Sequence, residues 1–359
     1  MSARPILIVA GGTGGHVFPA LAVAQALRDR SVPVVWLGTA AGLEARVVPA
    51  AGIRLETLPV KGLRGNGWRG WLQAPFMLLA AVRQALGVIY QTNPVAVLGM
   101  GGYVTGPGAL AARLSGRALV IHEQNAIPGL TNRLVARIAQ RVLTGLDAQL
   151  GQAKRREWTG NPIRAEIAAL PAPGHRDASR TGPVRLLVIG GSLGARRLNQ
   201  VVPAALAELP QATRPVVWHQ AGERTLETAQ SAYQQAGVDA DIDAFITDMA
   251  AAYAWCDLVV CRAGALTVSE LAAAGVPAVF VPLPHAVDDH QTRNAEFLTA
   301  VDAARLIPES TLTPATLATT LHDLLGEPSR LTAMARAARA QGRPNAAERV
   351  ADVCMEVAA

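Results

Sequence analysis

One pattern is written twice in this chain, and it fixes the kind of fold the chain can adopt. ILIVAGGTGGHVFPALAVAQAL, from Ile6 to Leu27, sets a short apolar run, a glycine-rich turn and a segment of helical apolar spacing in succession. RLLVIGGSLGARRLNQVVPAAL, starting at Arg185, repeats the order, with Gly190 lying 179 residues after Gly11. Strand, turn and helix in that order open a parallel sheet, because parallel neighbours need a crossover of a dozen or more residues. Two openings imply two sheets. PVVWLG, PVAVLGMGG and ALVIHEQ supply further strand-like runs in the first half, and PVVWHQ, LVVCRA and PAVFVPLP in the second. The expected architecture is α/β, two Rossmann-like doubly wound parallel-sheet domains facing across a cleft. A length of 359 residues suits that division. A linker is expected around Gly160 to Pro183, where Pro162, Pro171, Pro173 and Pro183 interrupt any periodicity. Asn345 to Val357 reads as a closing helix that fits either domain.

Half the residues are hydrophobic and 17% are charged, which excludes a disordered solvating chain. Cys256, Cys261 and Cys354 form no CxxC and no zinc spacing, so they are expected to be buried thiols in a reducing compartment. Residues 1–160 carry 17 Lys and Arg against 6 Asp and Glu, a net of +11, whereas residues 161–359 carry 16 against 21, a net of −5. So one-sided a field attracts nucleic acid, anionic lipid or a phosphorylated substrate. Nucleic acid is disfavoured, since aromatics make up only 4% and no helix-turn-helix, RNP-like or finger pattern is present. The first residues run directly into an apolar strand-like segment, so no secretory leader is expected. Glycines and prolines break the longest uncharged run, Gln84 to Ala112, so no spanning helix is expected.

Glycine turns between strand and helix let backbone N–H groups approach an anion closely, and phosphate is the usual guest. A third glycine stretch, GMGGYVTGPG from Gly99 to Gly108, strengthens that reading. Neither lysine of the chain, Lys61 or Lys154, sits in a Walker loop, and PVVWLGT closes the second strand without an acid, which argues against ATP and dinucleotides. CRAGALTVSE places Arg262 at a strand end, Gly264 at the turn and Glu270 two turns into the next helix. Such a set suits a nucleoside diphosphate, with Arg262 and N–H groups for phosphate and Glu270 for ribose hydroxyls. PLPHAVDDHQTRNA adds His285, Asp288, Asp289, His290, Gln291 and Asn294, a polar cluster apt for sugar hydroxyls without compelling metal spacing. The DADID run, Asp239 to Asp243, is expected in a solvated surface loop.

Taken together, GGTGGHVFPALAVA, GMGGYVTGPG, HEQNAIPGLTNR, GNPIR, GGSLGARRLN and CRAGALTVSELAAAGVP resemble the bacterial N-acetylglucosaminyltransferase family of peptidoglycan synthesis, from about residue 5 to about residue 350. The resemblance implies a B-type glycosyltransferase fold, inversion at the anomeric carbon, and neither metal nor cofactor. It implies a lipid-acceptor domain of residues 1–163 plus about 341–359 and a UDP-sugar domain of residues 164–340. Family donor contacts fall on Thr13, Gly14, Gly15, Asn125, Arg164, Ser192, Ile246, the run Ala265, Leu266, Thr267, Val268, Ser269 and Glu270, and Gln291. Leu193 stands where the family commonly carries glutamine. The partners implied are UDP-N-acetylglucosamine, undecaprenyl-linked muramoyl-pentapeptide and an anionic membrane, at the cytoplasmic face of the inner membrane.

A displacement at the anomeric carbon needs a base for the acceptor hydroxyl and a cradle for the departing diphosphate. His16, directly after GGTGG, is the candidate base, since imidazole titrates near neutrality; contact with a pyrophosphate is the other role open to it. Glu123 is the alternative base. Arg64 to Arg83 combines Trp68, Trp71, Phe76, Met77, Leu78 and Leu79 with Arg64, Arg69 and Arg83, the ingredients of an interfacial patch or of a buried helix. Two rival functions use the same nucleotide site: a UDP-N-acetylglucosamine 2-epimerase and a non-enzymatic sugar-nucleotide sensor.

Overall fold

The structure, a computed structural model, describes residues 4–59, 67–173, 182–191, 194–284 and 289–358, the side chains of residues 67–74, 153 and 328 excepted. It divides into two units, Met1–Arg164 with Pro344–Ala359, and Ala165–Arg343.

In the first unit β1 (Ile6–Ala10), α1 (Gly14–Asp29), β2 (Val34–Gly38), α2 (Glu44–Ala50), β3 (Arg54–Thr57), α3 (Gly67–Thr92), β4 (Ala96–Gly101), α4 (Thr105–Leu114), β5 (Ala118–Glu123), α5 (Leu130–Val135), β6 (Arg141–Thr144) and β7 (Arg156–Trp158) follow in order. The strands form one parallel sheet, ordered β3-β2-β1-β4-β5-β6-β7. β1 is buried along its whole length, which is why it reads as a continuous apolar run and not as an alternating one. Ile6, Ile8, Leu98 and Val120 pack on one face with Val17, Val23 and Leu27, while Leu7, Val9, Val97 and Ile121 pack on the other with Ala85, Ile89 and Ala112.

The second unit contains α6 (Ala165–Ala168), β8 (Arg185–Ile189), α7 (Arg196–Glu208), β9 (Val216–Gln220), α8 (Leu226–Ala236), β10 (Asp241–Asp243), α9 (Met249–Trp255), β11 (Leu258–Cys261), α10 (Ala265–Ala274), β12 (Ala278–Phe280), α11 (His290–Thr299), β13 (Ala304–Leu306), α12 (Pro314–Leu325) and α13 (Pro328–Gln341). Its parallel sheet runs β10-β9-β8-β11-β12-β13. The DADID run corrects one expectation: Asp241–Asp243 is the edge strand and not a loop, paired with β9 through Ile242↔His219 while both aspartates face solvent. Charge on an edge blocks further pairing.

The chain then returns to the first unit as α14 (Ala346–Glu356), whose Val350, Val353 and Cys354 join the core under α1. Arg349 donates to Glu157 of β7 at 2.6 and 3.0 Å and to Glu356 at 2.6 Å, and Asp352 pairs with Arg30 of α1 at 3.0 Å. Arg349 beside Glu157 holds that carboxyl below the usual carboxylate range.

Among the described residues each unit buries one histidine completely. Asn199 donates its amide N–H groups to the Ala221 and Thr225 carbonyls, so its Oδ1 accepts from His219 Nε2–H at 3.0 Å and His219 Nδ1 accepts from the Tyr233 hydroxyl at 2.9 Å. In the first unit His122 Nε2 donates to the Gly160 carbonyl at 2.9 Å. Burial pushes His219 down to about 3 and His122 down to about 4, so both stay neutral in the native state. The unfolded chain, by contrast, protonates both near the ordinary value of about 6.5. Stability is therefore complete above about pH 6.5 and declines as pH falls towards about 4 and 3, at up to about 1.4 kcal/mol per pH unit for each histidine. Urea unfolding at about pH 7.5 and about pH 5 should show losses of about 2 kcal/mol in both units; equal midpoints would refute the assignment.

Candidate active site

Open parallel sheets bind ligands outside the carboxyl ends of their strands, at the point where strand order reverses. That point lies between β1 and β4 in the first unit and between β8 and β11 in the second. The GGTGG and GMGG stretches lie at the first, and Gly190, Gly191 and Gly194 with the CRAG stretch at the second.

In the first unit the two glycine stretches interlock. Gly102 has φ +86°, and a Cβ there would stand 2.1 Å from the Gly11 carbonyl oxygen; a Cβ on Gly101, φ +106°, would stand 2.5 Å from His16 Nδ1. The GMGG glycines thus give room to the first turn and to His16. Thr13 is extended and caps α1, whose first turn carries no acidic residue, so the opening N–H groups at Gly14 and Gly15 keep their attraction for an anion.

Beneath the turn lies a carboxylate. Glu44, fully buried on α2, accepts from Gly12 N–H at 3.0 Å and from Thr39 N–H and Oγ1–H at 2.9 and 2.6 Å. Burial alone would raise its pKa, but hydrogen bonds from the Thr39 side chain, its own N–H, Gly12 and the Thr39 backbone together hold it below the usual carboxylate range. The acid missing from the end of PVVWLGT thus arrives five residues later, turned towards the glycine loop.

His16 is half-buried, with Nδ1 3.0 Å from Gln124 Oε1. Glu123 is not placed as a base: it is 2% exposed, Oε1 accepts from Asn125 N–H and Nδ2, and Oε2 accepts from Gly129 N–H and Asn132 Nδ2 at 2.8 Å. A saturated carboxylate of this kind shapes the Gln124–Gly129 loop. It also turns the Asn125 amide inward. Arg164 is partly buried at the end of the unit.

In the second unit the β8 turn is as tightly built. Gly194 has φ +75°, and a Cβ on it would lie 2.2 Å from the Ala221 carbonyl oxygen. Gln220 ties the turn to the β10 side, donating to Gly191 O at 3.0 Å and accepting from Ile246 N–H at 3.2 Å. Ser192 and Leu193, and with them His285 and Asp288, lie outside the described residues. α10 starts at Gly264, with Ala265, Val268, Ser269 and Glu270 buried and Leu266 and Thr267 partly so. Tyr253 on α9 donates its hydroxyl to Glu270 Oε2 at 3.0 Å.

Arg262 and Gln291 are brought to this turn but already have partners. Arg262 pairs with Glu309 at 2.5 Å and donates to the Val281 and Pro282 carbonyls at 3.1 Å, so its guanidinium ties the end of β12 to Glu309. Gln291 Oε1 accepts from Ala263 N–H at 3.3 Å and Leu283 N–H at 2.9 Å, and Asn294 donates to the Ala263 carbonyl. Glu44, Gln124, Tyr253, Gln220 and Glu309 escaped sequence reasoning. Only Gln124, inside the HEQN motif, left a signal. Among the described residues no group of three or more His, Cys, Asp or Glu is placed to hold a metal, and no helix is long and apolar enough to cross a membrane.

Comparison with known proteins agrees across the chain. Residues 6–144 match the glycosyltransferase family 28 N-terminal domain and residues 185–350 the C-terminal domain of the same family. The UDP-N-acetylglucosamine–N-acetylmuramyl-(pentapeptide) pyrophosphoryl-undecaprenol N-acetylglucosamine transferase of Alkalilimnicola ehrlichii is 62% identical over 354 residues, 99% of each chain. The crystal structure of Acinetobacter baumannii MurG superposes with a TM-score of 0.86 at 41% identity, covering 98% of this chain and 99% of that one. A UDP-GlcNAc 2-epimerase from Neisseria meningitidis, 12% identical with a TM-score of 0.69, covering 98% of this chain and 100% of its own, shares the fold alone. The fold is the B-type glycosyltransferase fold, and the chain belongs to glycosyltransferase family 28, among its peptidoglycan N-acetylglucosaminyltransferases.

Proposed function

We infer that this chain is an inverting glycosyltransferase that moves N-acetylglucosamine from UDP-N-acetylglucosamine to the muramoyl 4-hydroxyl of undecaprenyl-pyrophosphoryl-N-acetylmuramoyl-pentapeptide, yielding the lipid-linked disaccharide precursor of peptidoglycan. The observation that carries this reading is the full-length 62% identity to a transferase named for that reaction. The site supports it. On the second unit, N–H groups at the α10 N-terminus suit a diphosphate, and Glu270, steadied by Tyr253, suits two vicinal ribose hydroxyls. The first unit receives the lipid acceptor, and Thr13, Gly14, Gly15, Asn125 and Arg164 serve the substrates there. In the transfer the acceptor oxygen bonds to the anomeric carbon while the bond to UDP breaks. His16 takes the hydroxyl proton, and the diphosphate carries away the electron pair against N–H donors already in place.

A lipid acceptor requires the enzyme to work at a bilayer surface. Phe76 and Leu79 of α3 are 77% and 69% exposed, and Leu114, Leu130 and Leu134 on α4 and α5 are 68%, 71% and 52% exposed. Arg83, Arg113, Arg133 and Arg137 are exposed on the same three elements or just beyond them. Apolar side chains rimmed by cations suit peripheral binding to anionic lipid at the cytoplasmic face, each basic residue adding about 1 kcal/mol near the surface. Arg64 lies outside the described residues, as do the side chains of Trp68, Arg69 and Trp71.

UDP release should depend on a lipid-linked muramoyl acceptor; release or epimer formation from UDP-N-acetylglucosamine alone would sink the assignment. Glu270→Gln should raise the KM for the nucleotide sugar by about tenfold or more, with a smaller change in kcat, as expected for a lost hydrogen bond to a charged group. The Phe76→Asp, Leu79→Asp double variant should lose about tenfold or more of its sedimentation with anionic vesicles at low salt while keeping turnover on a detergent-soluble acceptor. Unchanged sedimentation would place the lipid contact elsewhere.

A further inference from the structure

Gln124, the third residue of HEQN, is 1% exposed, and every polar atom of its side chain has a partner. Its Nε2 lies 2.9 Å from the Met100 carbonyl oxygen and 3.3 Å from His122 Nδ1, and its Oε1 lies 3.0 Å from His16 Nδ1. His122 Nε2 lies 2.9 Å from the Gly160 carbonyl oxygen. These contacts form one chain, His16–Gln124–His122, anchored by two backbone carbonyls, and a carbonyl can only accept.

Those anchors fix the direction of every bond. Gly160 O requires His122 Nε2 to carry its proton, so the Nδ1 of neutral His122 is an acceptor. Met100 O and His122 Nδ1 then claim the two N–H bonds of the Gln124 amide. Turning the amide over would set Oε1 against the Met100 carbonyl and against an unprotonated Nδ1, leaving buried acceptors unmatched at the full desolvation cost. Oε1 therefore accepts from His16, whose Nδ1 must hold the hydrogen. In neutral imidazole the lone pair is then on Nε2, which has no hydrogen-bond partner among the described residues.

We propose that Gln124 is a positioning residue for the transfer reaction, holding His16 as the Nδ1–H tautomer so that the Nε2 lone pair is the one presented to the acceptor hydroxyl. This rests on the reading of His16 as the base and adds how the base is made ready. An amide does not titrate, so the proton that His16 gains stays on His16 and is not relayed inward. Nor does His122 compete for it, since burial keeps that ring neutral. Glycine at 101 completes the arrangement, because a side chain there would overlap the edge of the imidazole that faces Gln124.

Few other charges bear on His16. β1, β2 and β4 carry no titratable side chain. β5 supplies His122 and Glu123, the latter saturated by Asn125, Gly129 and Asn132. Glu44 of α2 is turned to Gly12 and Thr39. On α14, Asp352 pairs with Arg30 at the far end of α1, and Arg349 with Glu157 and Glu356.

The test combines spectroscopy with kinetics. In protein carrying 15N-labelled histidine, with the His16 signals assigned by their loss in His16→Ala, the wild type should show His16 protonated at Nδ1 and His122 at Nε2. Gln124→Leu should return His16 to the Nε2–H form or to a mixture and lower kcat by about 10- to 100-fold, with the KM for UDP-N-acetylglucosamine within about twofold. Gln124→Glu, protonated in this buried position, gives its single O–H to the Met100 carbonyl and keeps an oxygen facing His16 Nδ1, and should retain the tautomer and turnover within about tenfold of wild type at a pH where it is protonated. An Nε2–H tautomer at His16 in the wild type overturns the proposal. So does wild-type turnover in Gln124→Leu when His16→Ala is inactive. Near-normal turnover in His16→Ala instead removes the base itself, and the proposal with it.

Discussion

The close approach of two backbone segments, Gly102 against Gly11, is the constraint on which the first unit's site depends. With 2.1 Å between a hypothetical Cβ and a carbonyl oxygen, no other residue type fits, and the positive φ at Gly102 excludes L side chains a second time. The approach is possible because β1 and β4 are neighbours at the reversal of strand order, with a register shift after Val9 that brings Ala10 opposite Gly101. Topology thus makes a crevice, and glycine keeps it from filling. The second unit repeats the solution with different residues, Gly194 meeting Ala221 at 2.2 Å.

Each glycine turn has a polar side chain holding it from below, and the two differ in charge. Glu44 accepts from the Gly12 N–H in the first unit; Gln220 donates to the Gly191 carbonyl in the second. A carboxylate under the first turn takes up the Gly12 N–H and leaves the opening N–H groups of α1 at Gly14 and Gly15 to other partners. A neutral amide, Gln220, under the second turn binds the Gly191 carbonyl and adds no charge there. The two turns thus differ by one negative charge set beneath them.

Much of this was legible in the sequence because it is local. Long apolar runs gave the central strands, and glycine clusters marked the reversal points. Short edge strands were not legible: Arg54–Thr57 and Asp241–Asp243 are charged, half exposed and stabilised by a neighbour remote in sequence. Site residues divide the same way. His16 and Glu270 stand in motifs, but the roles of Arg262 and Glu123 depend on what folds against them. Glu309, 47 positions after Arg262, occupies a guanidinium that strand-end position alone would assign to phosphate. Loop N–H groups and Asn132 saturate Glu123, and nothing within the HEQN motif announces them.

The return of α14 to the first unit has a consequence for biogenesis. Val23, Ala24 and Leu27 of α1 are covered in part by Val350, Val353 and Cys354, which leave the ribosome only after all of the second unit. The amino-terminal half must therefore wait, with a greasy stripe uncovered, while some 180 further residues are translated, for about ten to forty seconds at ordinary elongation rates. The first unit's core is therefore completed only by the last helix of the chain to be made.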